Sequence, residues 1–268
     1  MIDALRYELV RISTVRSTYW LLGIAVTSQL FISTLLTWAR PSGGDGDGPF
    51  AIVMTIGGAA GFPLFVAYLL GLLGVFSMGH EYRHGMIRAT LTALPSRISV
   101  LVAKVIVIAA LAGITVLGCA LLILLISVPF DVTMPTFSGF RDITIGTALY
   151  VVLFSISGVA FATIVRNQTA AVVMILLIPS VVEQLVKGVI AIIRVISDEP
   201  LDKGGVAVLL KYLPYDAGAQ MYTQFSLDDL LEPFGVTSFG PVGGGLVMGT
   251  FVAILLAIST ALFLRRDA

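Results

Sequence analysis

Two histidines four residues apart bracket a glutamate in His80-Glu81-Tyr82-Arg83-His84. On a helix this spacing sets both imidazoles on one face, with the glutamate placed to act as general base on a zinc-bound water. The chain has 2 histidines in all, so a third ligand would have to be a carboxylate. Asp3, Glu8 and Asp267 stand near the chain ends, and Glu183 is far off in another apolar stretch. Gly85 weakens the helix that would have to hold both ligands. A docking segment accounts for these residues better than an intramembrane zinc metalloprotease does, and no metal is expected. A second pair, Glu183 and Lys187, stands four residues apart within apolar sequence, glutamate first, the favourable order for a helical ion pair. Ionisable groups inside a bilayer point to function, so the pair is a candidate for a substrate pathway. The alternative is a self-neutralising structural pair near the interface. Pro179, just ahead of them, is expected to kink the helix by removing one of its hydrogen bonds.

Other chemistry is missing. No G-x-x-x-x-G-K-[ST] occurs, and Gly243-Gly244-Gly245 is followed by no lysine. The chain is therefore not expected to hydrolyse ATP by the usual machinery, nor to be an enzyme. The 1 cysteine, Cys119, excludes a disulfide within the chain and any cysteine-based zinc site; a small buried residue is the plainer reading.

The elements that must position these residues follow from composition. Of 268 residues, 57% are apolar and 12% charged, about half the charged share of a soluble domain. A bilayer can accept that much apolar surface where a soluble core of this length cannot. The expectation is an all-α integral membrane protein, one transmembrane domain over residues 1–268. Six stretches are long and apolar enough to span: 19–38, 51–78, 101–128, 143–165, 170–193 and 242–264. Trp20 and Trp38 bracket the first, about 27 Å apart at the helical rise, as interface aromatics should be. That stretch is too long for a signal h-region and lacks a small-residue cleavage site, so an uncleaved helix is expected. Gly57-x-x-x-Gly61 and Gly245-x-x-x-Gly249 suggest close helix packing.

Charge orients the bundle. Arg6, Arg11, Arg16, Arg83, Arg88, Arg97, Lys104, Arg166, Arg265 and Arg266 fall on one side of the spans; the other holds mostly acids, Asp45, Asp47, Asp131, Asp142, Asp198, Glu199, Asp202, Asp216, Asp228, Asp229 and Glu232. The positive-inside rule puts the basic side and both termini in the cytoplasm. The Asn167-Gln168-Thr169 sequon then faces the cytoplasm and is discarded. Zero formal net charge gives no sign of nucleic-acid binding. Residues 2–16 set Ile2, Leu5, Leu9 and Ile12 opposite Asp3, Glu8 and Arg11, a surface helix on the inner leaflet. Residues 79–99 form a long polar cytoplasmic segment that should end its helix at Pro95. The outer connection 197–241 is too apolar at 206–213 and 215–225 to be plain loop, so short helices dipping into the outer leaflet are expected.

Four local stretches together resemble the membrane (permease) subunits of type-2 ABC exporters. Leu5-Arg6-Tyr7-Glu8 with Arg16-Ser17-Thr18-Tyr19-Trp20 resembles the family's entry into its first span. Glu81-Tyr82-Arg83-His84-Gly85-Met86-Ile87-Arg88 is similar to its glutamate–tyrosine–basic–glycine stretch after the second span, with Met86 where the family usually has a small hydroxyl residue. Arg166-Asn167-Gln168 resembles its fourth-to-fifth turn, and Tyr212-Leu213-Pro214-Tyr215-Asp216 its apolar-proline motif before the last span.

The resemblance implies a half-transporter in a bacterial cell (inner) membrane. A second permease subunit, identical or related, pairs with it, and ABC ATPase subunits carrying ATP and magnesium dock beneath. The coupling helix between spans 2 and 3 would then fall on Glu81, Tyr82, Arg83, His84, Gly85, Ile87 and Arg88, with Glu81→Ala expected to abolish export without unfolding the bundle. Apolar walls suit an amphipathic or hydrophobic substrate (drug, lipid or peptide), as in multidrug efflux. The rivals are an ion-coupled secondary transporter, for which no internal repeat is found, the zinc protease already weighed, and a non-transporting sensor or immunity partner of the same fold.

Overall fold

The computed structural model describes residues 1–39, 64–93, 96–130, 135–197, 206–222 and 237–265. Among them the regular elements are all helical. They are α1 (Ile2–Thr14), α2 (Arg16–Ala39), α3 (Phe65–Arg83), α4 (Ile87–Ala93), α5 (Arg97–Ser127), α6 (Phe137–Val165), α7 (Gln168–Leu177), α8 (Glu183–Ser197), α9 (Pro214–Ala219) and α10 (Gly240–Arg265). A π turn, Ile178–Val182, joins α7 to α8, and a 3-10 turn, Val206–Tyr212, precedes α9.

Side-chain caps set several boundaries. Ser96 accepts from Ser99 N–H at the start of α5, Thr136 from Gly139 N–H at α6, and Asn167 from Ala170 N–H at α7. Each satisfies an amide that the helix itself cannot. The π turn contains Pro179, whose missing N–H removes one helical hydrogen bond at the position where the sequence leads one to expect a kink.

Six segments are long and apolar enough to cross a membrane: Arg16–Leu36, Phe65–Arg83, Arg97–Ser127, Phe137–Val165, Gln168–Ile190 and Gly240–Arg265. Four lie close to the expected stretches, and the fifth runs across the π turn. The second differs: its helix continues through Arg83 instead of stopping at Met78. His80, Glu81, Tyr82 and Arg83 are therefore the last turn of a span and do not open a polar loop. Residues 51–63 and Pro95 lie outside the described residues, as do Gly57 and Gly61.

Helix α6 is the hub, packed against α3, α5 and α10. Its closest neighbour is α3, and glycines permit the approach. A side chain at Gly74 would run into the Ser155 carbonyl, one at Gly158 into the Gly71 carbonyl, and one at Gly71 into the Phe154 ring at 2.7 Å. At α10 the close contact is made by Gly244 against the Ala217 carbonyl of α9, while Gly249 of the expected motif faces open space. By contrast α2, α7–α8 and α10 turn most of their apolar side chains outward, among them Phe31, Leu35, Leu185, Val242 and Leu246. Water would not tolerate an apolar surface so continuous, whereas lipid tails do.

Basic groups collect at one end of the bundle. Arg97 donates to the Phe263 carbonyl at the end of α10, Arg166 lies over the Tyr82 ring at 5.7 Å, and Tyr7 of α1 meets Thr90 of α4 at 3.3 Å. The ends of α3, α6 and α10, the start of α5, and both α1 and α4 thus share this end.

Candidate functional site: a buried ion cluster beneath an exposed basic turn

Lys104 sits two turns into α5 and is only 1% exposed. Its ammonium has three donors, and three acceptors meet them: Glu8 Oε1 at 2.5 Å, Glu81 Oε1, and the Ser77 carbonyl at 3.1 Å. Arg11 completes the cluster, its Nε and Nη2 reaching Glu8 Oε2 at 2.9 and 2.8 Å. Two carboxylates and two cations cancel, which is what keeps a charge group at this depth tolerable. The cluster joins three segments of the chain: α1, the last turn of α3, and α5.

This arrangement turns α1 relative to the expected orientation. Glu8 and Arg11 were set with Asp3 on a face opposite the apolar residues; instead Glu8 faces the bundle, where Lys104 draws it in, and Arg11 accompanies it as its ion-pair partner. Ile2, 80% exposed, and Leu9 point outward, whereas Leu5 is half-buried and Ile12 packs against the core.

The seven residues 81–88 named from sequence separate into two groups. Glu81 is fully buried and Ile87 nearly so, while Tyr82 is partly covered by Arg166. Arg83, His84, Gly85 and Arg88 are exposed. Gly85 makes the division possible. Its φ of +67° reverses the chain between α3 and α4 in a conformation that side-chain-bearing residues resist. Nearby, Arg166 caps α6 in the left-handed region at φ 54°, its N–H bonding the Ala162 carbonyl, and Gln168 packs where a Gly79 side chain would stand. The 79–88 and 166–168 stretches are thus in direct contact.

The zinc-protease geometry does not form. Helix α3 ends at Arg83, so His84 lies beyond it, and the two imidazoles are 6.3 Å apart, tilted by 66°. His80 stacks on Phe76 at 4.9 Å, and Glu81 is held by Lys104. Among the described residues no three His, Cys, Asp or Glu side chains stand close enough to share a metal ion.

Glu183 and Lys187 occupy a second buried group toward the opposite end, and their partners differ from the expected helical pair. Glu183 accepts from the Tyr215 and Asp216 amides at 2.9 and 3.0 Å, while Lys187 pairs with Asp216 at 2.6 Å. The π turn brings Glu183 to the start of α9, where a carboxylate satisfies orphan amides. Burial raises the Asp216 carboxyl above its ordinary range, and the Lys187 charge offsets part of that rise. Tyr215 donates to Ser157 of α6 at 3.0 Å and stacks edgewise on Phe154 and Phe251. Glu183→Ala is expected to cost about 2–3 kcal/mol by orphaning the two amides. Glu183→Gln, which keeps an acceptor, should cost distinctly less; thermal unfolding of the two variants in detergent measures the difference.

Sequence reasoning missed Lys104 as the partner of Glu81, and Glu8 as the second carboxylate on that lysine. One signal was present: a lysine inside the apolar stretch 101–128 has to find a counter-charge.

The chain belongs to the class of all-helical, multi-pass membrane proteins. No protein-family model matches it, and no curated protein matches it either.

Proposed function

We propose that this protein is the membrane subunit of an ATP-driven exporter of the type-2 ABC class, working as a homodimer or with a related permease in a bacterial inner membrane. The observation that carries the reading is the pairing of an exposed basic turn, Arg83–Arg88, with a buried charge cluster directly behind it at Glu81. The basic end of the bundle then lies in the cytoplasm with both termini. Helix α1 rests on the inner leaflet, α4 and the turn before it form the coupling segment, and residues 206–222 lie in the outer leaflet. Partner ATPase subunits hold ATP and magnesium and close against Arg83, His84 and Arg88. Their motion passes through the last turn of α3 to Lys104 in α5 and Glu8 in α1, so three segments move as a unit. Glu81 is then a transmitting residue and not a docking contact. A substrate with apolar character follows a path between two permease subunits.

Two variants test this. Arg83→Glu with Arg88→Glu is expected to reduce co-purification of an ATPase subunit about tenfold or more in protein that remains folded, because both side chains are exposed. Glu81→Gln is expected to retain the ATPase yet lose substrate-stimulated ATP turnover in proteoliposomes. Wild-type stimulation in a well-folded Glu81→Gln protein would defeat the transmitting role. Transport that persists without ATP under an ion gradient would instead select a secondary transporter.

A further inference from the structure

Glu183 and Asp216 are 2% and 4% exposed, and Lys187 pairs with Asp216 alone. Among the described residues no cation stands within ion-pair distance of Glu183. The group therefore sets two carboxyls against one ammonium. In the cluster at the basic end the count is even, Glu8 and Glu81 being matched by Lys104 and Arg11.

Nothing else described around the pair supplies a second positive charge. Tyr68 of α3, Tyr150 of α6, and Tyr215 and Tyr222 in and just after α9 lie within electrostatic reach of the carboxyls, and phenols are neutral at physiological pH. Helix α7 and the π turn have no titratable side chain, and α10 has none before Arg265 at its far end. Lys211, in the 3-10 turn beside α8, lies over the Phe239 ring at 4.5 Å. Arg194 is eleven residues beyond Glu183, about 16 Å along α8. The hydroxyls of Tyr68, Tyr150 and Tyr222 make no hydrogen bond to either carboxyl, so they do not solvate the second charge. Glu183 is left with the amides of Tyr215 and Asp216, and those bonds do not need a charge. The carbonyl oxygen of a neutral acid accepts an amide N–H, and its hydroxyl oxygen keeps some acceptor capacity. A buried carboxyl without a cation holds a proton in preference to an unpaired charge.

We propose that the Glu183–Asp216–Lys187 group binds one exchangeable proton per chain, held on Glu183 at neutral pH while Asp216 stays ionised against Lys187. The proton makes the group neutral and is retained while the contact between α8 and α9 stays dry. Opening that contact to water ionises Glu183 and releases the proton, so a movement that parts α8 from α9 also moves a proton. The site rests on the packing of this chain alone and does not depend on an ATPase partner.

The test is infrared spectroscopy of the full-length protein in lipid vesicles, following the C=O stretch of the protonated carboxyl, which an ionised carboxylate lacks. The wild type at neutral pH should show this band for one carboxyl per chain, with an isotope shift in heavy water. Glu183→Gln, which reproduces the neutral side chain, should remove the band. Asp216→Asn leaves Lys187 one helical turn from Glu183 with its own partner gone. The band should then vanish about one pH unit lower than in the wild type, an about tenfold weaker hold on the proton. Thermal unfolding has a fixed sign. The wild type should lose stability as pH rises through the loss of the band, and Glu183→Gln should not. If Glu183→Gln fails to fold, the wild-type band and the Asp216→Asn shift still decide. A wild type without the band at neutral pH, a band that survives in Glu183→Gln, or a transition unmoved in Asp216→Asn would each overturn the proposal.

Discussion

Lys104→Ala is expected to destabilise the protein by about 3–5 kcal/mol, the cost of breaking a buried ion pair by removing one partner. The substitution leaves Glu8 and Glu81 buried at 1% and 0% exposure, with Arg11 as the remaining cation near both. Arg11 is bonded to Glu8, while its Nε is 4.0 Å from Glu81 Oε1, so it cannot take over both charges at short range. The Ser77 carbonyl also loses its donor. Thermal unfolding in detergent should show the loss as a large drop in melting temperature. Removing the Lys104–Glu81 pair together, with Lys104→Met and Glu81→Gln, keeps Glu8 paired with Arg11 and should recover most of it, because a buried ion pair replaced by neutral side chains of similar volume is often no less stable. The double variant also separates stability from coupling. On the proposed function it folds but does not transmit ATP-driven motion. A Lys104→Ala protein that melts with the wild type would mean that the cluster does not hold α1 and α3 to α5. It would also make the earlier expectation for Glu81→Ala, loss of export without unfolding, the better one. With the cluster in place, Glu81→Ala is instead expected to weaken the fold as well.

Gly74→Leu is expected to prevent α3 and α6 from assembling. Even a single Cβ at Gly74 would fall inside contact distance of the Ser155 carbonyl, which is backbone and cannot turn aside. Alanine at this position would gain about 1 kcal/mol of helix propensity over glycine, yet the clash should outweigh it, because overpacking a close contact costs about 1–3 kcal/mol. Leucine adds three more carbons at the same point, and its cost should exceed that range. Gly23→Leu is the control, since nothing stands within 4 Å of a Cβ there. Expression and monodispersity of the two proteins should diverge sharply, with Gly23→Leu like the wild type. If Gly74→Leu is equally well behaved, α3 and α6 are not in backbone contact at this point.

The legible part of the candidate site was the part carried by local spacing. Glu81 and the basic turn after it stood out because an acid, an aromatic, basic residues and a glycine adjoin in one short stretch. Glu183 and Lys187 stood out because charge is rare in apolar sequence, but their partners did not. A four-residue interval suggested that they pair with each other, whereas the π turn at Pro179 carries Glu183 to the amides of α9 and leaves Lys187 to Asp216. The packing glycines were placed only in part, for a related reason: Gly245 stands against the Met221 side chain, but Gly249 faces open space. The spacing of Gly245 and Gly249 is common to many membrane helices, and only the neighbouring chain decides which glycine meets a backbone; here it is Gly244.

Composition and the run-lengths of apolar residues were sufficient for the class of the protein and for the number of helices able to cross a membrane, because burial in lipid is decided residue by residue along each segment. Where the second helix stops, which face α1 turns inward, and which charges meet were decided only in three dimensions. Glu8 and Lys104 are 96 residues apart and Glu81 and Lys104 are 23 apart. The energy that joins them is the cost of leaving any one of them alone at a buried position, and that cost exists only once the bundle has closed around it.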